Sequence, residues 1–337
     1  MKETKTRNPA LDYTKGVLVI GMLLFHATYF FIADDSVRNV VAGRLLSFIS
    51  GSWVFISGLI VTHYYENKFS KDRFLTSKRL WVRGIKILLL FVILNIIISL
   101  LGLSQSTKIL SISGLIYILL NGDAVNTSFE ILIGISYVLL LSPIYLLLGR
   151  WGTILSIGLL LVASVAAIKG HDIPPIAWII LCGIGGMVAG KFVTYVTVNH
   201  KSLVRYSARM MMISCASTLF YFYLTFAFGF DKGDMYTYLY GIASILLMIY
   251  LSYHWVSEIS SIDRYLRFLG RYSLIAYIGQ MGILWAMVES IGATVTDIPF
   301  VVSFSSALIL MSLGIMLVDY ARGRLPIIRR LYGLIFA

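Results

Sequence analysis

Apolar runs of membrane-spanning length recur along the chain at 16–33, 45–65, 84–103, 128–148, 152–168, 175–198, 208–229, 235–256, 270–290 and 299–320. Short polar segments separate them. The pattern predicts an all-α polytopic membrane protein with about ten transmembrane helices and no soluble domain, residues 1–337 forming a single transmembrane domain. A shorter apolar piece, Ile109 to Leu120, reads as interfacial or re-entrant. An even number of spans puts both termini on one side. Of the 28 Lys and Arg residues, 23 fall on that side: in 1–15, 66–86, at Arg150, and in 191–209, 264–271 and 322–330. The other five are Arg38, Arg44, Lys108, Lys169 and Lys232. Positive charge is retained in the cytoplasm, so the expected topology is N-in, C-in. Most of the acids of the outer loops (Asp34, Asp35, Asp123, Asp172, Asp231, Asp234, Asp297) lie in short segments with no room for a catalytic domain.

Composition agrees with the pattern. The 337 residues are 58% hydrophobic and only 13% charged, with mean hydropathy +0.86, whereas soluble domains carry about 25% charged residues. A net charge of +12 would suit nucleic acid. Its confinement to loops between apolar spans argues against that and for contact with membrane lipids. Cys182 and Cys215 lie inside apolar runs and read as packing residues, with no disulfide or metal spacing. The first run has a basic approach but no clear small-residue cleavage site, so it is expected to be retained as a helix.

Candidate chemistry begins in that first run, LDYTKGVLVIGMLLFHATYFF over 11–31. His26 is its single ionisable group beyond Lys15 apart from the Tyr29 phenol, and an ionisable residue in a membrane helix is by default a functional-site hypothesis. Lys15 lies eleven positions earlier, about 20° beyond three full helical turns and roughly 16 Å lower. The two share a face. Asp12 falls within about 60° of both if the helix extends back that far. One face thus carries a charged pair at its cytoplasmic foot and a proton acceptor near mid-bilayer. The alternative is a histidine satisfied by a neighbouring helix.

Other positions have two readings as well. Ser57 and Gly58, in FISGSWVFISGLI over 48–60, let helices approach closely; they either pack, or bring the second span near His26. His63 reads as interfacial. Lys78, Arg79, Arg83 and Lys86 line one side of a helix in KRLWVRGIK over 78–86. They either hold anionic head groups or grip the phosphates of a cytosolic cofactor. Glu130 stands at the outer membrane edge, solvated or facing a polar acceptor. Pro143 is expected to kink its helix. Gly183 to Gly190 lacks the spacing of a nucleotide loop and reads as helix packing. Gln280 is a polar residue several turns into the membrane, with Tyr277 one turn before it.

In order and in placement on the topology, these stretches resemble the membrane acyltransferase-3 family and its wider transmembrane acyltransferase superfamily. The resemblance rests on Lys15, ten intervening residues and His26; on WVFISGLIV over 53–61; and on Lys78-Arg79 with Arg83 opening the third span. It also rests on LGRYSLIAY over 269–277 and the Tyr137 to Pro143 segment. Gln280 stands where the family often has His. The resemblance implies an acyl-CoA-dependent acyltransferase of the cell membrane, its short loops favouring a bacterial inner membrane. Acetyl-CoA or another acyl-CoA would be the cosubstrate, with no metal. Lys78, Arg79, Arg83 and Lys86 would hold its phosphates. His26 would act as general base or briefly carry the acyl group, its reference pKa of about 6.5 suiting proton exchange near neutral pH. Asp12 and Lys15 would order the helix foot. A hydroxyl (or amine) of a glycan or glycolipid would approach from outside, past Glu130, Tyr277 and Gln280. The rival readings are a transporter or flippase for a glycan or lipid-linked sugar, and a non-catalytic partner of a polysaccharide synthase. Neither the acceptor nor the oligomeric state is written in the sequence.

Overall fold

The computed structural model describes residues 9–46, 48–102, 108–121, 128–169, 174–198, 212, 215–216, 218–219, 223, 242–247, 249, 261–291 and 299–336. About 93% of what it describes is helical, without a strand among the described residues. The α-helices are α1 Pro9–Phe31, α2 Asp35–Arg38, α3 Phe48–Ile60, α4 Glu66–Lys71, α5 Arg73–Leu100, α6 Ile112–Asn121, α7 Ile131–Leu148, α8 Arg150–Ile168 and α9 Pro175–Val198. After them come α10 Ser261–Arg271, α11 Ser273–Ile291, α12 Phe300–Arg324 and α13 Pro326–Phe336. Among the described residues, five helices are long and apolar enough to cross a membrane: Pro9–Phe31, Asp35–Tyr65 (α2, α3 and the π-helical turns beside them), Arg73–Leu100, Ile131–Leu148 and Phe300–Arg324. The helices α8, α9 and α11 coincide with further apolar runs of the sequence. The runs expected at 208–229 and 235–256 lie for the most part outside the described residues.

Two helices start earlier than hydropathy alone places them. The first begins at Pro9 rather than at 16, with proline in its first turn, where its missing N–H costs nothing. The third span begins at Arg73 rather than at 84, because Asp72 caps it by accepting from the Leu75 N–H at 2.9 Å. Capping and propensity set a helix end, whereas hydropathy senses only where charge stops. The expected interfacial piece is a short 3₁₀ turn followed by α6, whose ten residues rise only about 15 Å and cannot cross.

The chain divides into two compact units, Met1–Ile49 with Leu246–Ala337, and Ser50–Ile245. In the first, α1 packs on α10, α11 and α12. Its tightest seam is backbone on backbone. A Cβ added at Gly16 would lie 1.9 Å from the Leu266 carbonyl oxygen, and one at Gly270 1.7 Å from that of Asp12. At the other end of α1, Phe30 meets Trp285 edge to face at 6.5 Å. Because α11 starts just past Gly270, these two anchors make α1 and α11 run parallel. The α10 helix is tied to α12 by Tyr265 and Ser312, whose hydroxyls are 2.7 Å apart. At the turn after α10, Tyr272 donates to Asp319.

In the second unit, α5 runs antiparallel to α7. Trp81 donates to the Leu140 carbonyl at 3.0 Å, Ser136 to that of Gly84 at 2.8 Å, and Asn95 to that of Ser128 at 2.7 Å. The helices α3 and α9 run parallel through a seam of glycines. Added Cβ atoms would come within 2.0 Å of the Gly183 carbonyl from Gly58, 1.9 Å of the Phe55 carbonyl from Gly186, and 2.7 Å of the Leu59 carbonyl from Gly190. Close approach of this kind lets membrane helices gain dispersion contacts where no hydrophobic effect drives them together.

Candidate functional site

His26 lies on α1, with Asp12 and Lys15 on the same helix. Since α1 begins at Pro9, the condition for Asp12 to share their face is met. Asp12 is buried, and its backbone supports Gly270. Lys15 is half-buried. His26 is half-buried, packs edge to face on Phe25 at 5.4 Å, and has its Nε2 shut off from solvent. The ring therefore projects from an apolar helix into a protein-lined environment.

Gln280 and Tyr277 lie on α11 of the same unit. The register of α1 against α11 fixes their depth. His26 is four residues below Phe30, or about 6 Å, and Gln280 is five residues below Trp285, or about 7.5 Å. With Phe30 against Trp285, His26 and Gln280 lie at the same depth within about one helical turn of 5.4 Å. Gln280 is completely buried, and neither its Oε1 nor its Nε2 has a hydrogen-bond partner. Buried polar groups are almost always paired, so such an orphan calls for an explanation. The Ser303 hydroxyl, near the N-terminal end of α12, is buried in the same condition.

The basic cluster lies on the first turns of α5 in the second unit. Lys78, Arg79 and Arg83 are exposed and Lys86 is half-buried. The Arg83 guanidinium donates to the Tyr65 hydroxyl at 2.7 Å, which fixes its direction. Tyr65 ends a π-helical turn, Val61–Tyr65, that contains His63. Ser57 spends its hydroxyl on the Trp53 carbonyl at 2.9 Å, and Gly58 is pressed against α9; both are engaged inside their own unit.

Glu130 stands directly before α7, half-buried with one carboxylate oxygen enclosed. What holds it there is absent from the sequence reading. Asn95 of α5 accepts from the Ser128 N–H at 2.9 Å and donates to the Ser128 carbonyl at 2.7 Å and the Phe91 carbonyl at 3.0 Å. The next residue, Phe129, has φ 63°, a left-handed conformation rare for a bulky side chain. An amide alone in the apolar run ILLLFVILNIIISL was the available signal. Also missed was Lys191, which donates to the Gly149 carbonyl at 2.9 Å and pairs with Glu66 at 3.3 Å. So was α10, where Asp263 is paired with Arg267 and burial raises the carboxyl pKa above its usual range. A cavity of about 280 Å³ between α7, α8 and α9 has an apolar wall broken by Ser156 and Tyr145. The Tyr145 hydroxyl is bonded to Thr153 at 3.1 Å, and the cavity offers no group for chemistry.

No protein-family model and no curated protein matches this chain.

Proposed function

We propose that this chain is a ten-span membrane acyltransferase with both termini in the cytoplasm. It moves an acyl group, acetyl in the first instance, from cytosolic acyl-CoA to a hydroxyl (or amine) of an extracytoplasmic glycan or glycolipid. The observation that carries the reading is His26, an imidazole with its Nε2 enclosed, eleven residues beyond the charged cytoplasmic foot of α1. Ten alternating spans require α3 parallel to α9, α5 antiparallel to α7 and α1 parallel to α11, and the packing within each unit agrees. Exposed cations at the start of α5 suit phosphates arriving from the cytosol.

In this mechanism the His26 imidazole takes the proton of the acceptor hydroxyl as its oxygen attacks the thioester carbonyl carbon. The new C–O bond forms, the C–S bond breaks, and the CoA sulfur leaves with the proton returned by the imidazolium. Lys78, Arg79, Arg83 and Lys86 hold the nucleotide phosphates. Asp12 and Lys15 order the foot of α1.

The test is thermal unfolding of the detergent-purified protein with acetyl-CoA, paired with transfer assays on His26→Ala. A ligand that binds only the folded state stabilises it by about 2.7 kcal/mol at a hundredfold excess over Kd. Acetyl-CoA is expected to raise the Tm of the wild type and of His26→Ala, and to do so less when Arg79 and Arg83 are both alanine. His26→Ala is expected to transfer no acyl group. Full turnover in that variant removes His26 from the chemistry. No thermal response to any acyl-CoA would move the reading to a flippase, which has no use for one.

A further inference from the structure

We propose that Gln280 is a binding residue for a secondary amide in the arm that links the thioester of acyl-CoA to its nucleotide. This inference rests on the acyltransferase reading. It starts from the amide of Gln280, which is completely buried with both polar atoms unpartnered, although desolvating such groups is costly. A side chain that served only packing at this position would be apolar. The orphan offers one acceptor, Oε1, and one donor group, Nε2, side by side on a planar amide. A single hydroxyl cannot meet both with straight hydrogen bonds, and a thioester carbonyl meets only the donor. A secondary amide meets both, its N–H donating to Oε1 and its carbonyl accepting from Nε2.

Position agrees with chemistry. Gln280 lies within about one helical turn of the depth of His26, on the helix running parallel to α1. Acyl transfer at His26 requires the thioester at that depth, and the arm just behind the thioester carries secondary amides. Its other neighbours along α11 are apolar or already engaged: Ala276 and Leu284 are completely buried and Tyr277 nearly so. The amide of Gln280 is thus the polar contact that a chain passing this level would find.

The experiment compares Gln280→Met, which keeps the length and removes the polar pair, with Ser303→Ala, which removes an unpartnered buried hydroxyl elsewhere in this unit. Ligands are acetyl-CoA and phosphoadenosine phosphate, which has the nucleotide phosphates without the arm; no acceptor is present. Tm is read without ligand and across each titration. Removing an unpartnered buried amide is expected to leave the Tm of Gln280→Met at or above wild type. Its Kd for acetyl-CoA is expected to weaken about tenfold or more, with its response to phosphoadenosine phosphate unchanged. Ser303→Ala is expected to bind both ligands as wild type does. A lower Tm for Gln280→Met without ligand assigns the side chain a structural role and overturns the proposal. So does an unchanged Kd for acetyl-CoA, which would leave Gln280 to the acceptor. A wild type that ignores acetyl-CoA overturns the acyltransferase reading itself, and this inference with it.

Discussion

A single amide governs the entry to α7 in the second unit. Asn95 makes three hydrogen bonds with its side chain, two of them to the backbone of Ser128. These bonds hold the chain where Phe129 takes its left-handed turn and delivers Glu130 to the start of α7. Replacing Asn95 by Leu leaves the Ser128 N–H and carbonyl unmatched at a part-buried site, at a cost of about 1–3 kcal/mol. A lower Tm with unchanged acetyl-CoA binding is expected, since the clamp lies far along α5 from Arg79 and Arg83. Unchanged stability would mean that water replaces the clamp. Relieving the strained turn instead is not expected to help. Phe129→Gly removes roughly 1–2 kcal/mol of left-handed strain. The ring it deletes is 5% exposed, and losing such a side chain costs about 3–5 kcal/mol. Burial wins, so that variant should melt lower than wild type.

At the scale of the elements, hydropathy located most helices because in a membrane an apolar run is both the solvent match and the helix. It did not locate their ends, nor α10, which carries Asp263, Arg264, Arg267 and Arg271 and is held by glycine contacts to α1 that no hydropathy window senses. The glycine seam was legible as packing, but its partner was not, because spacing alone does not name the helix across the seam. Two adjacent glycines test the seam sharply. A Cβ on Gly186 would lie 1.9 Å from the Phe55 carbonyl oxygen, while one on Gly185 would meet only the Phe55 ring at 3.8 Å. Gly186→Ala is therefore expected to destabilise by about 1–3 kcal/mol through overpacking. Gly185→Ala makes ordinary contact and gains helix propensity, so its Tm should match or exceed wild type. Equal melting of the two variants would show that α3 and α9 do not meet as described.

For the whole molecule, the candidate site was only partly legible. The basic cluster and His26 stand out in the sequence because charge in or beside an apolar run is rare. The orphan state of Gln280 and the register of α1 on α11 depend on which helices touch, and the order of residues does not encode that directly. Topology is the property that the charge pattern expresses most strongly, and it connects the cytosolic and outer halves of the proposed reaction. Arg150 and Lys169, at opposite ends of α8, are both exposed. The N-in arrangement puts Arg150 in the cytoplasm and Lys169 outside. With Cys182 and Cys215 replaced by alanine, Lys169→Cys should react with a membrane-impermeant maleimide on intact cells. Arg150→Cys should react only after the membrane is opened. Labelling of both from one side would remove α8 from the spans and reverse the sidedness of every later loop, which would put the basic segments at 191–209 and 264–271 outside, against the charge pattern.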